Sequence, residues 1–243
     1  MVSRILPLPG NAEWGFFAPD SPEDPRHTGD LTVAEVTLPR QTHSANVAVA
    51  HSLHEDFPDT DALITRMKGV AIGVRTADCV PILMYAPDIE AVAAIHAGWK
   101  GTLAGIAPRA FLTLRDMGAD PHSISVRTGA HICGACYEVD DDLAARFSDA
   151  GLGECIRHDV DCDPLAIQEF VPSRPHLDLG EANRIMLIRE GMDPHNYLDI
   201  GICTRHSTAD GFRLPSWRRT PGERRRIVSW IRLTAAESGV PVK

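Results

Sequence analysis

Two short apolar runs separated by a turn form the most regular pattern in the chain. Val80 to Tyr85 and Ala91 to Ile95 are continuously apolar, and Pro87-Asp88 lies between them. Two such runs joined by a short polar connection are typical of paired antiparallel strands. The pattern therefore predicts a hairpin that places Cys79, before the first strand, beside His96 at the end of the second.

The remaining elements follow from alternating or continuous apolar character and from apolar residues at helical spacing. Strands are predicted over residues 31–38, 46–50, 69–74, 123–127, 197–202 and 225–233, whereas residues 1–30 carry little regular pattern. Three helices are predicted. The first follows an N-cap at Thr102, and Pro108 should kink it or delay its start; the second follows an N-cap at Asp140. The third covers residues 178–190. Because strands outnumber helices without regular alternation, we expect one α+β or layered α/β domain over residues 1–243.

Composition narrows the expected partners and compartment. The 243 residues are 44% hydrophobic and 23% charged, which is ordinary for a globular protein, and the net charge of −9 disfavours nucleic acid or an anionic membrane as partner. No apolar run reaches the roughly 20 residues needed to span a bilayer, and the N-terminus lacks the pattern of a secretory signal. Six cysteines in a chain of this size do not indicate a disulfide scaffold, so we expect a cytoplasmic protein with free thiols.

Three side chains near predicted strand ends could form one site. His43 follows Arg40-Gln41-Thr42 after the first predicted strand, and the hairpin supplies Cys79 and His96. A thiolate and imidazoles bind divalent metals, but they also form a nucleophile and its base. The spacing leaves both interpretations open, together with a packed cysteine and a buried core histidine that have no chemical role.

Two other features leave alternatives open. Cys133 and Cys136 form a Cys-x-x-Cys pair, but a structural zinc site needs a second pair and none follows at a suitable spacing. A redox dithiol would begin a helix, which the following residues do not settle. Five arginines between positions 218 and 226 form either a solvated surface or contacts to a substrate phosphate.

Several motifs occur in the order found in the YfiH-like family, also called the laccase-domain or multicopper polyphenol oxidase family, and the chain resembles its members. From about residue 40 to the C-terminus these motifs are Gln41-x-His43, Asp61-Ala-Leu-Ile-Thr65, Thr76-Ala-Asp-Cys-Val-Pro-Ile-Leu83, His96-Ala-Gly-Trp-Lys-Gly101, Gly134-Ala-Cys-Tyr-Glu-Val139, Ala182-Asn-Arg184, Cys203-Thr204 and Ser216-Trp-Arg-Arg219. The chain departs from the family by lacking its glycine- and asparagine-rich N-terminal segment, and by Ala130, Cys133 and Ala135 where Gly-Pro is usual.

The resemblance implies an α+β fold, a single layered domain of mixed β-sheets flanked by helices, and His43, Cys79 and His96 as metal ligands. One thiolate and two neutral imidazoles leave Zn²⁺ with a net positive charge and an open coordination position, as in catalytic zinc sites. Copper fits less well, because laccase chemistry needs several coppers held by many His-x-His pairs, and none of the 11 histidines forms such a pair.

Members of the family have been reassigned as purine nucleoside phosphorylases and as a peptidoglycan editing factor. The resemblance therefore predicts a zinc-dependent enzyme that uses phosphate to cleave adenosine, inosine, guanosine or methylthioadenosine, with adenosine deamination as a second activity. Besides Cys79 and His96, we expect Asp78 to transfer a proton or orient a histidine. Gln41, Lys100 and Arg219 are expected to contact ribose or phosphate.

Two other functions use the same residues differently. A hydrolase that edits cell-wall precursors would have Cys79 as nucleophile and His96 or His43 as base, without metal. A metal-binding module would hold zinc without turnover. The sequence leaves open whether the chain is a monomer or a homodimer.

Overall fold

A computed structural model of the chain describes residues 2–7, 10–18, 27–28, 31–52, 55–158, 174–209 and 212–234. The strands, numbered in chain order, are β1 (Val2–Pro7), β2 (Ala12–Ala18), β3 (His27–Thr28), β4 (Leu31–Thr32), β5 (Val36–Thr37), β6 (Val47–Val49), β7 (Ala62–Thr65), β8 (Ala71–Thr76), β9 (Val80–Ala86), β10 (Ala91–Ala97), β11 (Ser125–Thr128), β12 (Ile156–Arg157), β13 (His176–Leu177), β14 (Tyr197–Asp199), β15 (Thr208–Ala209), β16 (Phe212–Arg213) and β17 (Ile227–Leu233). The helices are α1 (Trp99–Leu103), α2 (Ile106–Asp116), α3 (Asp141–Phe147) and α4 (Leu179–Arg189), with single turns at Val33–Glu35, Ser148–Leu152, Gly153–Cys155 and Pro194–Asn196.

Two mixed sheets form the framework. One has five strands in the order β1-β2-β17-β8-β5, and the other has six in the order β14-β11-β9-β10-β7-β6. The pairs β5–β8, β6–β7 and β11–β14 are parallel, whereas the pairs that β9 and β17 make are antiparallel. The predicted hairpin is confirmed as β9 and β10.

The six-stranded sheet is the middle layer, because alternate residues of its central strands pack in opposite directions. Ile82 of β9 packs with Phe111 of α2 in the core under the helices. Its neighbour Leu83 packs with Ile72 of β8 and Ile231 of β17 in the core between the sheets. Burial on both faces explains the continuously apolar sequence of β9 and β10. The α+β fold of layered, mixed sheets with flanking helices is thus confirmed.

The N-terminal part of the chain carries more strand than the pattern predicts. β2 is interrupted in sequence by Glu13 and Gly15, yet it pairs with β17 along its length. The Glu13 carboxylate accepts a hydrogen bond from the guanidinium of Arg232 on β17. This bond gives the carboxylate a partner within the sheet. The predicted strand over residues 31–38 is wrong in its middle: Glu35 accepts hydrogen bonds from the backbone and hydroxyl of Thr32, and this local bonding favours a turn at residues 33–35.

The predicted helix after the hairpin is two helices. Thr102 is not its N-cap, since α1 begins at Trp99 and Thr102 is buried, where its hydroxyl accepts a hydrogen bond from Asn183 at 3.0 Å. Gly105, with φ of +80°, separates α1 from α2. Pro108 then falls in the first turn of α2, where its missing N–H breaks no helical bond, so the predicted later start is confirmed.

The other two predicted helices are confirmed: α3 begins after its predicted cap Asp140, and α4 covers residues 179–189 of the predicted 178–190, with Asp178 as its N-cap. Asp140 accepts a hydrogen bond from the backbone of Leu143 at 2.7 Å, and Asp178 accepts one from Glu181 at 3.0 Å. Cys162, His54 and most of the predicted irregular stretch over residues 150–176 lie outside the described residues. Within the described residues, none of the helices has the length and apolar character needed to cross a bilayer.

Candidate active site

The side chains of His43, Cys79 and His96 converge at the end of the β9–β10 hairpin. The register pairs Val80 with Ala97 and Pro81 with His96. Cys79, the residue before Val80, therefore lies just beyond the end of the ladder and diagonally opposite His96. One ligand atom from each of the three residues lies within 4.8 Å of the others, and His43 Nε2 is 3.9 Å from Cys79 Sγ. In a tetrahedral zinc site the corresponding ligand atoms are about 3.3–3.6 Å apart, so small side-chain rotations reach that geometry.

The buried carboxylate of Asp61 positions two of these three side chains. It accepts hydrogen bonds from the backbone N–H groups of Thr42, His43 and Ser44 at 3.1, 3.1 and 2.8 Å and from the Ser44 hydroxyl at 2.8 Å. These bonds hold the turn in which His43 adopts a φ of +64°. The same carboxylate is 2.7 Å from Nδ1 of His96. Burial alone would raise the pKa of Asp61, but the bonds from His96, Ser44 and Thr42 lower it below its usual range.

The hydrogen bond to Asp61 fixes how His96 is presented. With Nδ1 held by a carboxylate, Nε2 is the ring nitrogen available to a metal, which is the usual arrangement of a metal-binding histidine. Without a metal, burial lowers the pKa of His96, yet the contacts with Asp61 and Cys79 outweigh it and raise the pKa to about 9, so a metal would bind Nε2 by displacing its proton. Burial likewise raises the pKa of the Cys79 thiol, but contacts with His43 and His96 lower it to about 6. Cys79 is therefore a thiolate at neutral pH, suited to bind a metal or to act as a nucleophile.

Asp78 joins three loops around the site. Its backbone adopts a φ of +98°, which is rare for a residue with a side chain. Oδ1 accepts a hydrogen bond from the Thr204 hydroxyl and Oδ2 one from the backbone of Arg218, both at 2.6 Å, and its carbonyl accepts one from Ile132 at 2.9 Å. The carboxylate on His96 is thus that of Asp61, whereas the contacts of Asp78 are to the loops.

A cavity of about 850 Å³ opens over the three side chains. Four of its lining residues are arginines and three are aromatic: Arg40, Arg75, Arg218, Arg226, Trp99, Tyr137 and Trp217. Trp217 is 51% exposed at the rim, and the guanidinium of Arg218 lies 5.0 Å from the centre of the Tyr137 ring. Such a wall suits a ligand that carries both an anionic group and a planar ring.

The three residues expected to bind substrate have different surroundings. Gln41 lines the cavity, but its amide donates to the carbonyl of Arg75 and accepts from its backbone N–H, both at 2.8 Å. Lys100 is exposed, with its amine 5.5 Å from the centre of the Trp99 ring. Arg219 donates to the backbone carbonyls of Thr204 and other loop residues. Gln41 thus lines the cavity, whereas Lys100 and Arg219 are not among its lining residues.

Sequence reasoning missed the carboxylate and the arginines that the structure places at the site. Asp61 directly precedes the apolar residues of β7, but its burial is a property of the fold, and an acidic residue beside a strand is not a specific signal. Arg218 and Arg226 lay within the basic cluster, but nothing in their spacing distinguished them from Arg219.

A family model described as multi-copper polyphenol oxidoreductase laccase matches residues 25–234. The chain belongs to this family. A purine nucleoside phosphorylase of Deinococcus radiodurans is 34% identical over 231 residues, covering 92% of this chain and 84% of the relative. Purine nucleoside phosphorylase SCO2081 of Streptomyces coelicolor is 37% identical, covering 76% and 70%. Adenosine deaminase RL5, from an unidentified prokaryote, is 33% identical, covering 70% and 66%.

Two solved structures share the fold of this chain. The hypothetical protein YfiH of Bacillus licheniformis superposes with a TM-score of 0.74 at 22% identity, covering 92% of this chain and 93% of that one. YlmD of Geobacillus stearothermophilus gives a TM-score of 0.73 at 25% identity, covering 93% of each chain. The resemblance to the YfiH-like family is therefore confirmed.

Proposed function

We propose that the protein is a zinc-dependent purine nucleoside phosphorylase. The observation that carries the proposal is the convergence of His43, Cys79 and His96 at a cavity of about 850 Å³ whose wall holds four arginines. Pockets of roughly 300–1,000 Å³ are typical for small ligands, so a nucleoside and a phosphate fit together. The names of the relatives from Deinococcus radiodurans and Streptomyces coelicolor support this substrate class.

The donor set fits zinc. One thiolate and two imidazoles are common zinc ligands, and the carboxylate behind His96 completes the usual surroundings of such a histidine. With three protein ligands, a tetrahedral zinc ion would have one further position for substrate or water. A multicopper centre needs many more imidazoles, and in this group only His43 and His96 supply them. When bound, zinc supplies Lewis-acid stabilisation of negative charge on an oxygen ligand.

The cavity residues bind and orient the two substrates. The guanidinium groups of Arg218 and Arg226 bind phosphate, whose charge and geometry match paired N–H donors. Trp217 packs against the purine. A phosphate oxygen then bonds to ribose C1′ as the bond from C1′ to the purine nitrogen breaks, and the electron pair leaves with the purine, which takes up a proton. Holding the reactants together in this order lowers the entropic part of the barrier.

Two polar groups take supporting roles. Burial raises the pKa of Tyr137 to about 12, so its hydroxyl stays protonated and donates a hydrogen bond to the departing purine. Asp78 positions the loops, because both of its carboxylate oxygens already accept hydrogen bonds from Thr204 and Arg218. We assign it this positioning role in place of proton transfer.

The test is base release from inosine and adenosine by the zinc-loaded chain, with and without phosphate. We expect hypoxanthine or adenine and ribose 1-phosphate only when phosphate is present. Cys79→Ser should abolish turnover, whereas Cys155→Ser, a buried cysteine outside the ligand group, should not. Absence of base release from every purine nucleoside at full zinc loading would contradict the proposal.

Adenosine deamination is the second candidate, supported by the similarity to adenosine deaminase RL5. In this reaction water displaces the amino group at C6, so adenosine yields inosine and ammonia without phosphate. The same assay separates the two activities, because deamination leaves the bond from ribose to purine intact. Inosine formation in phosphate-free buffer would establish the second activity.

A metal-free cysteine hydrolase is supported by the position of the Cys79 thiol, 3.9 Å from Nε2 of His43, since contacts with histidines lower the pKa of the thiol. The effect of removing zinc distinguishes this hydrolase from the phosphorylase. Stripping zinc would then leave hydrolysis of a cell-wall peptide intact, whereas a zinc-dependent phosphorylase loses activity on stripping.

A further inference from the structure

A second cluster of soft ligands lies on the loops that border the cavity. The turns Cys133–Cys136 and Cys203–His206 bring together one ligand atom each from Cys133, Cys136, Cys203 and His206, all within 4.8 Å of one another. Sγ of Cys136 is 3.3 Å from Nδ1 of His206, although the two residues are 70 positions apart. None of the four belongs to the His43–Cys79–His96 group.

Each half of the cluster is a tight turn closed by its own backbone. The backbone N–H groups of Cys136 and Tyr137 donate to the carbonyl of Cys133 at 2.9 and 3.1 Å. In the other half, the N–H of Ser207 donates to the carbonyl of Cys203 at 2.9 Å. In such a turn, two side chains that are separated by two residues point to the same side, as the paired ligands of structural zinc centres do.

The backbone also holds the two halves against each other. The N–H of His131 donates to the carbonyl of Ile202 at 3.1 Å, and the N–H of Thr204 donates to the carbonyl of His131 at 3.0 Å. The N–H of Cys133 points at Sγ of Cys203 at 3.4 Å, a bond that stabilises a thiolate. The backbone therefore fixes the two turns from which the four side chains converge.

Packing alone does not account for this composition. Cys136 and Cys203 are buried, but the fourth member, His206, is exposed to solvent and still directs its imidazole to a buried thiol. A disulfide would use two of the three thiols and leave the third thiol and the imidazole unexplained. A tetrahedral cation uses all four, since three thiolates and one imidazole form a standard closed zinc set.

We propose that Cys133, Cys136, Cys203 and His206 hold a structural zinc ion, separate from the metal of the active site. Four protein ligands fill the tetrahedron, so the site has no open position and does not take part in turnover. Its sequence signature is Cys-x-x-Cys followed by Cys-x-x-His. The expectation that Cys133 and Cys136 lack a second pair is thus wrong, because that pair lies far downstream and ends in a histidine.

The zinc ion braces one wall of the cavity. Ile132 and Tyr137, on either side of the Cys133–Cys136 turn, line the cavity. In the other turn, Thr204 follows Cys203 and donates to the carboxylate of Asp78. Binding energy of a metal that the unfolded chain does not assemble adds directly to folding energy, so the site stabilises these two loops together.

Metal content of the purified, reduced chain tests the proposal. We expect about two zinc ions per wild-type chain and about one in His206→Ala, because a site with three remaining ligands binds far more weakly. His206 is exposed, so its truncation removes little packing. His206→Cys restores a four-ligand set and should restore the second zinc. Cys155→Ser, a buried cysteine outside both clusters, is the matched control and should keep both ions.

Cobalt binding gives a readout that is independent of activity. In Cys79→Ala only the proposed site retains its full ligand set, so added Co²⁺ should give the near-ultraviolet thiolate-to-cobalt band and the visible bands of tetrahedral cobalt. These bands should vanish in Cys79→Ala/Cys203→Ser.

A wild-type chain with one zinc, removed entirely by Cys79→Ala, would overturn the proposal. So would a mass spectrum of the native chain showing a disulfide among Cys133, Cys136 and Cys203. Two zinc ions without nucleoside cleavage would leave this site established and the proposed function refuted.

Discussion

The carboxylate of Asp61 lies 2.7 Å from Nδ1 of His96 and also accepts the backbone N–H of His43 at 3.1 Å. One buried group thus orients two of the three proposed zinc ligands, although they belong to different parts of the chain. A carboxylate that is hydrogen-bonded to a metal-binding histidine sets which ring nitrogen faces the metal and raises the basicity of the ligand. The integrity of the proposed metal centre therefore depends on a residue that does not line the cavity.

Asp61→Asn should weaken zinc binding by about 10–100-fold, because the amide keeps the size of the carboxylate but not its charge. The measurement is competition with a chromophoric chelator. Asp116→Asn, an exposed carboxylate paired with Arg115, is the control and should bind zinc as the wild type does. Equal zinc affinity in both variants would show that Asp61 does not support the ligand.

Alkylation of Cys79 in the zinc-free chain should follow a titration with a midpoint at about 6, below the ordinary value of 9.0. A lowered pKa means that the reactive thiolate forms as the pH rises through 6, so the rate should already be near its plateau at neutral pH. Iodoacetamide labelling, mapped by peptide mass, separates Cys79 from the other thiols.

Two controls accompany this titration. His96→Gln removes one stabilising contact, so its midpoint should move up toward 9.0. Zinc should protect Cys79 in the wild type, since a metal-bound thiolate is not available to the reagent. A wild-type midpoint near 9.0 would argue against the described contacts with the histidines.

Gly98→Ala should disrupt the metal centre without touching a ligand residue. A Cβ at this position would lie 2.9 Å from Cδ2 of His43 and 3.1 Å from Sγ of Cys79, so at least one ligand must shift. We expect zinc affinity to fall by about tenfold or more, as for loss of a supporting contact. Gly153→Ala, whose new Cβ meets nothing closer than 3.5 Å, is the matched control. Unchanged affinity in Gly98→Ala would mean that the ligands sit elsewhere.

Arg218→Ala should raise the KM for phosphate and lower kcat/KM by about 10–100-fold, the range for losing hydrogen bonds to a charged group. Arg218→Lys should restore only part of this loss, because an ammonium cannot replace the paired donors of a guanidinium. Arg224→Ala removes an exposed arginine that does not line the cavity, and phosphate kinetics should stay as in the wild type. Identical kinetics for Arg218→Ala and Arg224→Ala would place the phosphate elsewhere.

The sequence predicted those parts of the fold in which local pattern and tertiary environment agree. The β9–β10 hairpin and the helix capped by Asp178 have patterns that depend only on neighbouring residues. β2 was missed because Glu13 breaks its pattern, and its partner Arg232 is far away in sequence. The turn at residues 33–35 was missed because a side-chain bond between Thr32 and Glu35 outweighs strand propensity.

The site shows the same division. His43, Cys79 and His96 could be predicted as site residues because thiol and imidazole groups are recognisable as metal ligands from the residue type alone. Asp61 could not be told from Asp78, since both are acidic residues beside strands and only the fold decides which one faces His96. The pairing of the two turns in the second cluster depends on β11 and β14, which are neighbours in the sheet but far apart in sequence, and spacing does not reveal it.

The most direct test of the central claim is phosphate-dependent cleavage of inosine before and after chelation. We expect the zinc-loaded chain to form ribose 1-phosphate and hypoxanthine in equal amounts. Stripping zinc should abolish both products, and added zinc should restore them in the wild type but not in Cys79→Ser. Cleavage that persists in the stripped wild type, or in zinc-loaded Cys79→Ser at the wild-type rate, would contradict it.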